Sequence, residues 1–294
     1  MSNPFLPPAL PRPRLVHWVD LHMHSPVSDG FWTTETLPPA ARALGIQVLA
    51  LADHDEVVGV PAMIAACRPY GITVIPAVEI SIFFQTVGYH MLAYGVDLGN
   101  AALLDTFNRG RAYYNTMCHA AIDELARRGQ PLDPAKSPQI RGDAVKIYHL
   151  VAALIENGYA ANMSQAYGLV NQAGAHYGWS LPMEEAIALV HGAGGVAVIA
   201  HPGRAEPGFT AATAAALDGM RAAGLDGIEC FHPYHTATNV AFYESYAQHH
   251  GMLISCGSDT HGPGQSPRML TAWPAADCRA LLERCGLTVA GEDC

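Results

Sequence analysis

A chain of 294 residues, half of them hydrophobic and 14% charged, holds enough apolar side chain for one large domain with an insertion. Its formal net charge of −10 excludes a broad electrostatic grip on long nucleic acid, and no run of about 18 apolar residues is present to span a bilayer. Seven scattered cysteines without CxxC spacing exclude a disulfide framework or a zinc finger and suit reduced thiols in a cytoplasm.

Residues 1–14 are Pro-rich, lack the apolar core of a signal peptide, and read as a leader that adds little to the fold. Beyond them a rhythm begins. Apolar runs expected as strands lie at 16–21, 48–52, 73–78, about 90–94, 196–200, 227–231 and 253–256. Helical patterns at 34–44, 60–67 and 183–192 separate several of these runs, which predicts parallel strands and an α/β architecture. Polar residues follow the strand ends, and such side chains at the C-terminal ends of parallel strands mark the active site of a (β/α) barrel. About seven strands predict a distorted (β/α)7 barrel over 15–99 and 182–294. The rhythm breaks at 100–181, where helical patterns at 101–128, 144–157 and 162–173 predict an inserted helical subdomain that covers the active site.

The fifteen histidines do not fall at random. His22 and His24 are two apart, so on an extended strand both rings face the same side. Asp29 follows on the next loop, with Gly30 permitting a tight turn. His54, Glu79, His90, His201, Asp259 and His261 complete nine ligand-type residues at the mouths of six strands. Buried charges in that number need a partner, and a cation supplies it. Mixed imidazole and carboxylate ligation suits manganese, iron or zinc.

Five stretches carry a resemblance: Asp20-Leu21-His22-Met23-His24-Ser25 with Ser28-Asp29-Gly30, then Ala52-Asp53-His54-Asp55, Val78-Glu79-Ile80-Ser81, Ala200-His201-Pro202-Gly203-Arg204 and Gly257-Ser258-Asp259-Thr260-His261. They resemble the motifs of the polymerase and histidinol phosphatase (PHP) family over the whole chain after the leader. The likeness is closest to insertion-bearing nucleoside 3′,5′-bisphosphate phosphatases and 5′–3′ exonucleases. It implies three divalent ions, the first held by His22, His24, Glu79 and Asp259. Glu79 would bridge to a second ion with His90 and His201, and Asp29, His54 and His261 would hold the third.

The implied activity is hydrolysis of a phosphate monoester of a small phosphorylated metabolite, such as a nucleoside 3′,5′-bisphosphate, by a metal-bridged hydroxide. A 5′–3′ exonuclease on short oligonucleotides is the alternative. A C–N hydrolase and a non-catalytic metal-stabilised module stand further off, the latter opposed by the intact ligand set. Relatives acting on nucleotides carry a Ser-Arg-Thr-His type sequence in the insertion, where Lys146-Ile147-Tyr148-His149 stands here. Lys146 replaces the charge without bidentate geometry. Arg204 and Arg268 are the expected phosphate clamps, with Arg111, beside Arg109, reaching a second phosphate. His235 is expected to bind phosphate or donate a proton, His232 to face outward, and Asp259 to serve as both ligand and catalytic residue.

Overall fold

The computed structural model describes residues 15–142, 144–204, 210–264 and 266–290, so the expected leader and Cys294 lie outside them. Short aliphatic runs form β1 (Trp18–Met23), β2 (Val48–Leu51), β3 (Thr73–Phe84), β4 (Val87–Tyr94), β5 (Leu181–Pro182), β6 (Val196–Ile199), β7 (Gly227–Phe231), β8 (Leu253–Cys256) and β9 (Trp273–Pro274). They join in one sheet in the order β8-β7-β6-β4-β3-β2-β1-β9, with β5 beside β3. A parallel bridge between Met23 and Thr260 brings the segment after β8 against β1, so the sheet nearly closes into a barrel.

Helices α1 (Leu37–Ala43), α2 (Val60–Cys67), α6 (Met183–Gly192), α7 (Ala214–Ala222) and α8 (Ala237–His250) wrap this sheet, and α9 (Arg279–Arg284) packs against β8. Strand periodicity divides the core in two. Leu49 and Leu51 of β2 join the cluster that includes Val60 and Met63 of α2. Val48 and Ala50 join the other cluster, with Val19, Ala77, Val198 and Cys256, closed by Leu281 and Leu282 of α9. A bulge between Asp20 and Met23 resets the alternation in β1 just where the two histidines emerge.

One expectation is corrected. β4 runs antiparallel to both β3 and β6, not parallel in a βαβ unit. The reason is length: only Gln85, at φ 57°, and Thr86 separate the two strands, too few residues for a crossover helix. The barrel is therefore not a regular (β/α)7 repeat. β3 also extends to Phe84, so His90 pairs with Ser81 inside the hairpin rather than beginning a strand.

Among the described residues, the 100–181 stretch holds the α-helices α3 (Ala101–Arg127), α4 (Ile147–Glu156) and α5 (Met163–Gln172). The Asn100 side chain caps α3 by accepting the Leu103 N–H. Leu103 and Phe107 at its start belong to the barrel core. Its later residues Cys118, Ala121 and Leu125 join Leu150 and Leu154 of α4 and Ala166 and Val170 of α5 in a separate cluster. No helix among the described residues is long and apolar enough to cross a membrane.

Candidate metal centre

All nine expected ligands converge at one mouth of the barrel. Their ring nitrogens and carboxylate oxygens fall into three groups, each with atoms within 4.8 Å of one another: His22, His24, Glu79 and Asp259; His54, Glu79 and His90; and His24, Asp29, His54 and His261. His201 joins through Glu79, its Nε2 lying 3.0 Å from Oε1. Compared with the implied partition, His24 and His54 each belong to two groups.

Glu79 is the hub. Its Oε2 lies 3.2 Å from His22 Nε2, 3.2 Å from His24 Nε2 and 3.3 Å from His54 Nδ1, while Oε1 lies 3.0 Å from His90 Nδ1. Despite these distances, Glu79 Oε2 and His22 Nε2 are buried without a hydrogen bond. Buried lone pairs aimed at a common point and short of donors fit a cation. Electrostatics agree. Burial opposes ionisation of Glu79 and Asp259, yet the surrounding imidazoles hold both carboxyls well below their ordinary range. Burial likewise opposes charge on His24, but Asp259, Glu79 and Asp29 raise it to about 10. Acidic His54 and His201, pushed down by burial to about 3 and about 4, stay neutral and ready to ligate.

Local backbone sets these directions. Non-glycine Asp55, His201 and Asp259 adopt left-handed φ of 50°, 28° and 49°, strain on the order of 1–3 kcal/mol each that ligand loops commonly store. Gly257 lets the end of β8 pass beside β1, since a Cβ there would sit 2.2 Å from the His22 Cβ. Gly30 allows the ligand loop to turn back against the His24 carbonyl, where a Cβ would meet oxygen at 2.2 Å. Asp53 holds that loop by accepting from the Ser25 N–H and from the hydroxyls of Ser25 and Ser28.

One supporting carboxylate was not anticipated. Glu229, fully buried on β7, lies 2.9 Å from His22 Nδ1 and accepts the His201 N–H at 2.6 Å. It fixes the tautomer that leaves His22 Nε2 free to ligate. A glutamate inside the apolar run Gly227-Ile228-Glu229-Cys230-Phe231 was the available signal.

The substrate-side expectations divide. Arg268 Nη1 donates to Asp259 Oδ2 at 3.0 Å, and Arg204 Nη1 lies 4.0 Å from the same oxygen. Both guanidinium groups lie over the Tyr234 ring, at 5.9 and 5.3 Å from its centroid, a platform the sequence did not reveal. Lys146 reaches the rim, its Nζ donating to the His54 carbonyl at 2.7 Å. Arg111 lies against the barrel, its Nε donating to the buried Glu56 carboxylate at 2.9 Å. Arg109 pairs with Asp105 along the exposed face of α3.

His232 and His235 lie in different surroundings from those expected. His235 Nδ1 donates to the Cys230 carbonyl at 2.8 Å, and its Nε2 accepts the Gly203 N–H at 3.0 Å, so both nitrogens brace backbone. His232 is buried instead of facing outward, and its Nε2, 3.5 Å from Asp259 Oδ2, makes no hydrogen bond. The rotation follows from the turn after β7, in which the His232 ring accepts the Tyr234 N–H.

Comparison with known proteins is consistent with this geometry. The PHP domain family matches residues 20–189. The chain is 31% identical to a 3′,5′-nucleoside bisphosphate phosphatase of Chromobacterium violaceum, over 85% of its own length and 89% of that protein. It is 30% identical to a 5′–3′ exoribonuclease of Haemophilus influenzae, covering 83% of this chain and 90% of the other. A solved structure described as a metal-dependent phosphoesterase of Bifidobacterium adolescentis superposes with a TM-score of 0.79 at 29% identity, covering 90% of this chain and 96% of that one. The chain belongs to the PHP domain family and is a metal-dependent phosphoesterase.

Proposed function

We propose that this protein removes phosphate from a small phosphorylated metabolite, a nucleoside 3′,5′-bisphosphate by preference, beneath an insertion at 100–181 that covers the site. The observation that carries this reading is the convergence of Arg204 and Arg268 beside Asp259, two guanidinium groups at the edge of the ligand cluster. Guanidinium matches phosphate oxygens in both charge and geometry. Three divalent ions, manganese, iron or zinc, fit the three ligand groups. When bound, such ions neutralise phosphoryl oxygens and make water nucleophilic at neutral pH.

The chain's own side chains do the rest. Arg204 and Arg268 bind and orient the phosphate, both resting on the Tyr234 ring. His232, rather than His235, is placed to hold a proton for the leaving oxygen, because its Nε2 points at the cluster unengaged by backbone. Half-exposed Phe31 meets Tyr148 edge to face at 5.8 Å and offers an apolar plate for a base. A second reading, 5′–3′ cleavage of short oligonucleotides, is favoured by the aromatic row Tyr114, Tyr177 and Tyr167 on the insertion. The six free cysteines among the described residues, five of them buried, support a reducing, cytoplasmic setting.

The test is release of inorganic phosphate from nucleoside bisphosphates, nucleoside monophosphates and sugar phosphates, and of mononucleotides from 5′-phosphorylated trinucleotides, with manganese supplied and with chelator. Bisphosphates should turn over fastest. Trinucleotides outpacing every bisphosphate would shift the assignment to the exonuclease reading, and no release from any substrate by metal-loaded protein would end both.

A further inference from the structure

The tripeptide His54-Asp55-Glu56 is gripped from two sides. From the barrel, the Asp55 carboxylate accepts the Ser81 N–H at 2.9 Å and its hydroxyl at 2.7 Å, and the Asp55 N–H donates to the Glu79 carbonyl. From the helices of the 100–181 stretch come two cations. Lys146, the residue preceding α4, donates its Nζ to the His54 carbonyl at 2.7 Å. Arg111 of α3 pairs with Glu56, a carboxylate only 3% exposed. The chain between these grips passes through the left-handed φ of Asp55, a conformation that depends on its surroundings to persist.

We propose that Arg111 and Lys146 are positioning residues for the metal centre: together they hold the backbone that aims the His54 ring. His54 is shared by two of the three ligand groups, so a rotation of this tripeptide would disturb ligation at both while leaving the group of His22, His24, Glu79 and Asp259 intact. Neither cation touches the cluster with its charged end aimed at a ligand atom; each acts through backbone or through Glu56. The helices of the insertion would then be structural parts of the metal site, and anything that displaces α3 or α4 would be felt as a change in metal affinity. The idea rests on reading the cluster as a metal centre but not on which phosphoester is cleaved.

The experiment is a calorimetric titration of manganese into chelator-stripped protein, which reports metal binding whether or not a substrate is known. The double substitution Arg111→Met with Lys146→Met should weaken the two sites that share His54 by about tenfold and leave the third unchanged, as loss of outer support does elsewhere. Lys146→Arg alone should retain native affinity, because it keeps a donor for the His54 carbonyl. Native affinity in the folded double variant would overturn the proposal, and so would equal weakening of every site. Should the double variant not fold, hydrogen exchange on the native chain decides. Manganese should protect residues 53–58 together with 109–113 and 146–149, and protection confined to 53–58 would overturn it.

Discussion

Glu229 and His22 meet at 2.9 Å inside the barrel with no solvent exposure on either residue, and the other Glu229 oxygen takes the His201 main chain. One carboxylate thus orients a ligand ring and fixes the backbone of a second ligand. Replacing it with Gln keeps the shape but leaves the His22 ring free to turn to the wrong tautomer. Glu229→Gln is expected to lower metal affinity and turnover by about 10- to 100-fold. Metal content after desalting and kcat at saturating manganese check this, and native values for both would show that Glu229 is only a filler of the core.

The guanidinium groups of Arg204 and Arg268 both lie over the Tyr234 ring. A partly desolvated cation–π contact contributes about 0.5–2 kcal/mol, so losing the ring should raise KM by about tenfold with a smaller change in kcat. Tyr234→Leu should show that loss, and Tyr234→Phe should restore KM because the ring face remains. Equal KM values in the two variants would contradict the platform.

His235 gives a pH dependence whose sign is set by its burial. Burial, reinforced by nearby His232, depresses its pKa below the usual 6.5. The folded protein therefore holds it neutral, and the stability it contributes is complete above 6.5 and lost as pH falls below that value. A His235→Gln variant should melt lower than the native chain at pH 7.5, with the gap narrowing by pH 5.5. Parallel melting curves across that window would rule out the linkage.

Gly257 lies where β8 passes the base of His22. A methyl group there meets the His22 Cβ at 2.2 Å and its main-chain nitrogen at 2.8 Å, neither able to move far within the sheet. Gly257→Ala should destabilise the fold by about 3 kcal/mol or more and reduce metal content with it. Thermal unfolding with and without manganese measures both effects, and a native Tm would mean that the strands separate more easily than their packing suggests.

The ligand set was legible because its members sit at the ends of apolar runs, where hydrophobic patterning and histidine spacing coincide. His22, His24, Glu79 and Asp259 could be found by that coincidence, and the structure gathers them. The strand direction of β4 was not legible from an α/β rhythm, although the two-residue link at Gln85 and Thr86 carries the information. The roles of His232 and His235 depend on how one turn rotates after β7, which residue types do not encode. Arg111 and Glu56 lie 55 positions apart, so their pairing needed the packing of α3 on the barrel to appear. Glu229 was in plain view as a charge within an apolar strand, and the question of its partner was the missing step.

Helix α3 begins in the barrel core with Leu103 and Phe107 and ends in the other cluster with Cys118 and Leu125. At about 1.5 Å per residue it is a continuous rod roughly 40 Å long, without a joint at the boundary between the two cores. Chimeras that exchange the whole 100–181 stretch with that of a relative would therefore remove part of the barrel's wall. Grafts confined to α4 and α5, with α3 left in place, would leave that wall intact.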